Sequence, residues 1–517
     1  MRESASDNKR IAKNTLLLYG RMLLIMAVSL YTSRLVLSAL GVEDFGIYNV
    51  VGGVVTMFTF LYGSLVTSTQ RYLNYELGRG DDEKLKRIFT ASNYLLGIIA
   101  IVLVIISETF GLWFFYHKMV IPEPRMTAAM WVFQLSIFTM VVQVMSAPYN
   151  SVIIAHERMN VFAIISVVEV MLKVAIVFLL LLWKGDKLIV YAVLVALVQL
   201  CIRFIYMTYC KKHFVEAKIL KSFDRSLMIE MGKFAGWNMW GGLASTAFGT
   251  MLNLLLNMFF GPVVNAARAV AVQVEHTIAH FSNNFLMAVN PQITKLYAQT
   301  NLYEMHNLIF RASKLSCYLL LILSLPLMME TDVILNLWLK TVPNYTAQFI
   351  KLLLVITIID AMARPIMVAA MATGNVKKYQ TVVGCMLISI APIAYVVLKL
   401  GGDPTSVYVV HLSIAIIAFV ARLYIVRPLI KLSISDYCKT VIFPCFMVAI
   451  ASFAVAESVK SVLPSSLPFA IIVCGVSAMA VALLAYSLGL TKGERAFIND
   501  KIVNIYNKIT RNDNNNR

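Results

Sequence analysis

The sequence predicts an all-α polytopic membrane protein of about fourteen transmembrane helices, built as two six-helix repeats around a central cavity plus a final helix pair. Three observations carry that expectation. Mean hydropathy is +0.76 and only 14% of the 517 residues are charged, which excludes a soluble globular protein. Apolar runs of about 20 residues, the length that crosses a bilayer, follow one another almost end to end. Segments of the first half also recur in the second at an offset of 217–221 residues.

The runs are bounded by glycine, proline and clusters of charge. A basic tail over 1–13 (Arg2, Lys9, Arg10, Lys13) leads into a first span at 14–39, and Gly41-Val42-Glu43-Asp44 separates it from a second at 45–70. The charged stretch from Arg71 to Arg87 precedes the third span, 88–115, and Pro122-Glu123-Pro124-Arg125 precedes the fourth, 127–155. His156-Glu157-Arg158 opens the fifth, 160–183, and Lys184-Gly185-Asp186 the sixth, 187–209, which completes a lobe over 14–210. A basic linker, 211–232, follows. The second lobe, 233–428, holds spans at 233–259, 263–289, 313–337, 347–372, 379–399 and 405–426. Spans at 440–461 and 467–490 form the final pair within 429–490. From 491 to 517, Phe497, Ile498, Ile502, Ile505, Tyr506 and Ile509 recur at helical spacing among basic residues, which predicts an amphipathic helix on the membrane surface ahead of a polar tail. No connection is long enough to fold into a separate catalytic domain.

The repeat is read from three places. Leu40-Gly41-Val42 with Phe45-Gly46 matches Phe260-Gly261-Pro262 with Asn265-Ala266; Ile88-Phe89-Thr90-Ala91-Ser92 matches Ile309-Phe310-Arg311-Ala312-Ser313; Ala147-Pro148 before Ala155 matches Arg364-Pro365 before Ala372. Six spans per unit is an even number, so both halves enter the membrane the same way up, related by an axis along its normal.

The net charge of +18 in a soluble chain would suggest nucleic acid, but in a polytopic one it reflects the cytoplasmic bias of Lys and Arg. With the N-terminus cytoplasmic, basic residues outside the spans divide 30 against 8, so both termini are expected in the cytoplasm and no nucleic-acid partner is expected. The first span is far longer than the apolar core of a cleavable signal peptide. The seven cysteines form no CxxC motif and read as inert apolar residues.

The residues that bear on function are charges inside the spans. Arg21, Arg203 and Arg422 lie near span ends, where long side chains snorkel to the headgroups. Arg34, Lys173, Arg268 and Arg364 lie deeper, where a charge facing lipid costs several kcal/mol and a cavity or bundle interior is expected. Glu169 with Lys173 and Asp360 with Arg364 are each four apart on one face, so mutual neutralisation is the competing account. The eighth span concentrates the polar groups: Arg268, Gln273, Glu275, His276, His280, Ser282, Asn283 and Asn284. Arg268 and Glu275 share a stripe. One reading is anion contact by Arg268, with Glu275, His276 or Asp360 as titratable ion-coupling groups. The other is a polar seam bonding neighbouring helices. His276 and His280 lack both an HExxH context and a third ligand, so no metal is expected.

There is no Walker P-loop, dinucleotide turn, nucleophile elbow or pair of external catalytic carboxylates. No cofactor and no catalytic residues are expected, and any driving force comes from an ion gradient, the membrane potential or the substrate gradient.

At this point the chain resembles the multidrug/oligosaccharidyl-lipid/polysaccharide exporter superfamily, and within it the bacterial O-antigen and polysaccharide flippases of the Wzx type. The resemblance rests on Asn14-Thr15, the run from Ser33-Arg34-Leu35 through Leu40-Gly41-Val42-Glu43-Asp44-Phe45-Gly46-Ile47-Tyr48, Gln70-Arg71-Tyr72, Ala91-Ser92, and Ala147-Pro148 before His156-Glu157-Arg158. It covers the whole chain through loose motifs. It implies a multi-pass protein of the bacterial inner membrane that moves an undecaprenyl-diphosphate-linked oligosaccharide from the cytoplasmic to the periplasmic leaflet by alternating access. It also implies membrane lipids, a polysaccharide polymerase and chain-length machinery as partners. The basic cavity of such proteins maps by position to Arg34, Lys173, Arg268 and Arg364. The final helix pair would flank the lipid tail, by analogy with the lipid II flippase branch.

Two other functions compete. A drug/cation antiporter of the same superfamily needs a cavity of carboxylates and aromatics, whereas deep Arg and Lys outnumber acids here. A membrane glycan polymerase or ligase needs a large external loop with catalytic Arg or His, and none is present.

Overall fold

The computed structural model describes residues 2–57, 60–119, 121–220, 224–339, 342–464, 466–491 and 493–496. Its elements are helices throughout: α1 (Arg2–Met57), α2 (Phe60–Arg79), α3 (Asp82–Ile106), α4 (Leu112–Lys118), α5 (Met126–Ala155), α6 (Met159–Leu182), α7 (Lys187–His213), α8 (Arg225–Phe260) and α9 (Pro262–Ala298). They continue with α10 (Leu302–Met329), α11 (Thr331–Trp338), α12 (Thr346–Ala372), α13 (Lys377–Lys399), α14 (Ser406–Ile430), α15 (Ile434–Tyr437), α16 (Phe443–Val462) and α17 (Leu467–Leu484). Single π turns join α3 to α4 at Ser107–Gly111 and α15 to α16 at Cys438–Ile442.

Among the described residues, eleven helices are long and apolar enough to cross a membrane. The other three expected spans fall on α1 before Gly41, on the rest of α1 with α2, and on α9, whose polar residues lower its hydropathy. Prolines inside α5, α9, α10, α12, α13 and α14 are tolerated as in other membrane helices, where neighbours re-satisfy the freed backbone groups.

Some expectations are corrected. The ninth span is not one helix over 313–337: α10 ends at Met329, Glu330 leaves helical geometry, and α11 is a separate short helix. At the break, Glu330 is buried and takes the Lys460 ammonium at 3.5 Å. Lys314, at the edge of the expected ninth span, sits within α10 with its side chain 1% exposed and bonded to Glu494 at 2.7 Å. Helices therefore extend beyond their apolar runs wherever a buried partner accepts the charge. The amphipathic helix expected over 497–509 lies outside the described residues.

Backbone geometry repeats at the interval read from the sequence. Gly41 (φ 83°) and Gly261 (φ 77°), Gly80 (φ 76°) and Thr300 (φ 59°), and Glu157 (φ 58°) and Gly374 (φ 78°) all occupy the left-handed region at corresponding turns. At Gly261 the N–H bonds back to Asn257 O at 2.9 Å and ends α8, a termination that favours glycine because a Cβ is strained there.

The chain forms two compact units. Unit 1 holds residues 1–248, 284–305 and 368–388. Its core is built on Leu73, Phe89, Tyr149, Phe162 and Tyr206, with a second cluster around Leu96, Leu103, Phe115 and Phe133. Unit 2 holds residues 249–283, 306–367 and 389–517. Phe349, Tyr408, Tyr437, Val441 and Ala456 are buried there, with the Phe349 and Tyr408 rings 4.5 Å apart.

Candidate functional site

Unit 2 assembles the polar residues of α9 with partners from α8, α12 and α14. The turn at Gly261 folds the end of α8 back beside the start of α9, which lets Arg268 reach across. Its Nη1 donates to Asn253 Oδ1 at 2.9 Å and its Nη2 to Gly249 O at 3.0 Å. The residue is 9% exposed, its Nε–H has no hydrogen-bond partner, and it makes no ion pair among the described residues. Both acceptors are neutral, so the full positive charge of the guanidinium remains uncompensated by any carboxylate in contact. Arg268 lines an open cavity of about 500 Å³ with Asn253, Gln273, His276, Thr277 and His280. Positions 269, 272, 273, 276, 277 and 280 share one face of α9, which is polar over its last two turns at Gln273, His276, Thr277 and His280. A polar face on a membrane-length helix requires water or a polar ligand in front of it.

Glu275 turns away from this cavity. It accepts from Thr357 Oγ1 of α12 at 3.4 Å, and His276 Nδ1 lies 3.6 Å from its other oxygen. Asp360, one turn on from Thr357, is bonded by Arg422 of α14 at 2.8 Å. The pairing of Asp360 with Arg364 on one face is not formed; Asp360 takes its cation from the neighbouring helix instead. Arg364 is half-buried and makes no ion pair among the described residues, while standing within electrostatic reach of Glu275. His411 of α14, 8% exposed, faces the charges of Asp360 and Arg268, and buried Tyr408 faces Arg268 and Glu275.

Five of the sequence-derived candidates thus share unit 2: Arg268, Glu275, His276, Asp360 and Arg364. Lys173 belongs to unit 1, where its ammonium meets Glu169 at 2.7 Å, and Glu169 also accepts from Gln199 Nε2 at 2.8 Å. Lys173 is therefore neutralised on its own helix. The side chain of Arg34 lies outside the described residues. Sequence reading missed Asn253, Tyr408, His411 and Arg422 as members of the cluster. A histidine within the otherwise apolar run of α14 was the available signal for His411.

Comparison with known families matches residues 11–297 to a family described as polysaccharide biosynthesis protein. Comparison with curated proteins finds no match. Solved structures of the same fold include a MATE transporter in a bent conformation (14% identity, TM-score 0.72, covering 82% of this chain and 96% of that one). An outward-facing multidrug resistance MATE family transporter of the MOP superfamily matches at 13% identity, TM-score 0.71, with the same coverage, 82% and 96%. A MOP superfamily transporter from Pyrococcus furiosus, described as having a binding pocket of reverse polarity, matches at 14% identity and TM-score 0.70, again over 82% and 96%.

Proposed function

The chain belongs to the polysaccharide biosynthesis protein family, and from that premise we propose that it is a flippase for a lipid-linked oligosaccharide. It has the MATE-like fold of MOP superfamily transporters. The single observation that carries the substrate class is Arg268: a buried guanidinium, held in place by two neutral acceptors, with no carboxylate in contact and an open cavity beside it. A diphosphate supplies the missing negative charge. Guanidinium groups suit it because their planar N–H pairs match phosphate oxygens.

In this reading Arg268 and Arg364 take the diphosphate of an undecaprenyl-diphosphate-linked glycan. Gln273, Thr277 and His280 give the sugar hydroxyls donors and acceptors. Glu275, His276 and Asp360 are the groups whose titration couples transport to an ion gradient. The two six-helix lobes, 14–210 and 233–428, alternate access between leaflets, with both termini in the cytoplasm of a bacterial inner membrane. O-antigen or capsular repeat units are the natural cargo, delivered to a polymerase on the far side.

The second reading is a drug/cation antiporter, favoured by the likeness to multidrug MATE transporters. Against it, the two carboxylates of the unit 2 cluster already have partners, Asp360 in Arg422 and Glu275 in Thr357 and His276.

The test is a leaflet assay in cells. Arg268→Ala and Arg364→Ala should each accumulate lipid-linked glycan on the cytoplasmic leaflet at normal protein levels. Full glycan export by both variants would remove the two arginines from the site, and cation efflux by the wild type without glycan movement would favour the antiporter.

A further inference from the structure

We propose that the basic end of α14 is a binding site for an anionic phospholipid, separate from the cavity at Arg268. Ile417, Val420 and Tyr424 are 53%, 45% and 62% exposed, and Arg427 and Lys431 are exposed beyond them. Spacing of three and four residues places Ile417, Val420, Tyr424 and Arg427 on one stripe of the helix, and Lys431 lies in the turn just beyond it. The stripe is apolar for two turns and meets two cations at its end, which is the polarity profile of a phospholipid read from acyl chain to headgroup.

The cationic end is also concave. Tyr424, Arg427, Lys431, Ser433 and Ser435 line a cavity of about 780 Å³. It is shaped by the chain reversal after α14: Lys431 is left-handed (φ 54°), Leu432 N–H bonds Arg427 O at 3.1 Å, and Ser433 then caps the Asp436 N–H at 3.2 Å. Neither Arg427 nor Lys431 makes an ion pair among the described residues. The carboxylate of Asp436, in the same turn, bonds neither of them. Two unpaired cations at the mouth of a cavity, with serine hydroxyls beside them, fit a phosphodiester.

The apolar stripe argues for a lipid against a free phosphate, which would make no use of Tyr424, Val420 or Ile417. A glycerophospholipid is favoured over a polyprenyl substrate by abundance, since it is the bulk component of the bilayer and fills even a weak site by mass action. The loss of each cation should weaken the attraction roughly fivefold.

The experiment uses the full-length protein in nanodiscs of equal phosphatidylglycerol and phosphatidylcholine with matched chains, and native mass spectrometry of the retained lipid. The wild type should retain phosphatidylglycerol preferentially. Arg427→Gln with Lys431→Gln should abolish that preference, Arg427→Lys with Lys431→Arg should keep it, and Tyr424→Ser should lower total lipid retained. Lys378→Gln, at the start of α13, should leave it unchanged.

Retention of the preference by the double glutamine variant overturns the proposal, as does an equal loss in Lys378→Gln, which would mean diffuse attraction to the basic surface. Displacement by millimolar inorganic phosphate would assign the site to a free anion. Preferential displacement by undecaprenyl phosphate would assign it to the transported lipid. The glycan-transport reading stands or falls separately, because none of these variants touches Arg268 or Arg364.

Discussion

Lys295 of α9 donates to the Glu157 carboxylate at 2.7 Å, and Gln292, one turn earlier, donates to its second oxygen at 2.9 Å. Glu157 sits in the turn between α5 and α6 with its side chain 1% exposed, and its own carbonyl accepts from Asn14 of α1 at 3.2 Å. One turn residue thus ties three helices of unit 1 to the end of α9. Removing one partner of a buried pair leaves an uncompensated charge and costs about 3 kcal/mol. Lys295→Met should therefore lower the thermal unfolding midpoint in detergent markedly. The double variant Lys295→Met with Glu157→Gln should recover much of the loss, and a double variant no better than the single would refute the pairing energy.

Close by, Gly78 of α2 lies against the backbone of α9. A Cβ there would stand 2.7 Å from Lys295 O and 2.9 Å from Ala298 Cβ. Neither backbone can yield easily, so Gly78→Ala should cost about 1–3 kcal/mol. Gly97→Ala, where a Cβ meets nothing within 4 Å, should be neutral or slightly stabilising. Equal melting behaviour of the two variants would contradict the close approach.

The segment after α7 is held to the α5–α6 turn by acid–base contact. Glu216 bonds His156, whose ring stacks on Phe214 with centroids 4.3 Å apart. Burial works to raise the Glu216 pKa, but hydrogen bonds from His156 and from its own backbone N–H outweigh it and hold the carboxyl below the usual glutamate range. A depressed folded value contributes stability above the unfolded value, and that contribution disappears as pH falls through the folded one. The protection factors of amides over 214–220 should thus fall as pH drops below the usual glutamate pKa of about 4.3. Glu216→Gln should flatten that acid limb. An unchanged pH profile in the variant would show that another group governs the docking.

At the cavity, charge and geometry can be separated. Arg268→Lys keeps the cation but forfeits the paired donation to Asn253 and Gly249. Glycan transport should fall on the order of tenfold, between wild type and Arg268→Ala, because lysine presents a point charge without the fixed planar fork. Wild-type rates in the lysine variant would mean that charge alone suffices.

Helix positions were legible wherever apolar runs met hard stops. The fourth span is expected at 127–155 and is found at Met126–Ala155; the fifth is expected at 160–183 and found at Met159–Leu182. What stayed hidden were partnerships across helices. Arg422 reads as a snorkelling residue because its apolar run stops at 426, yet α14 continues to Ile430, which moves Arg422 inward to Asp360. Lys295 lies beyond its expected span and Lys314 at the edge of its own, and no local pattern announces Glu157 or Glu494 as their partners. The cluster on α9 was visible as an excess of polar residues, but periodicity alone put Glu275 on the Arg268 stripe and could not show that it turns to Thr357.

The matched left-handed turns keep one backbone geometry across different residues. Glu157 keeps the backbone geometry that Gly374 adopts at the corresponding turn, although a glutamate is strained there. Its carboxylate is spent on Lys295 and Gln292, whereas Gly374 leaves no room for a side chain, since a Cβ would stand 2.8 Å from Arg71 Nη2. One turn thus carries an anchor, Glu157, where the matching turn at Gly374 makes room for an arginine, Arg71. The two turns share a shape and differ in chemistry.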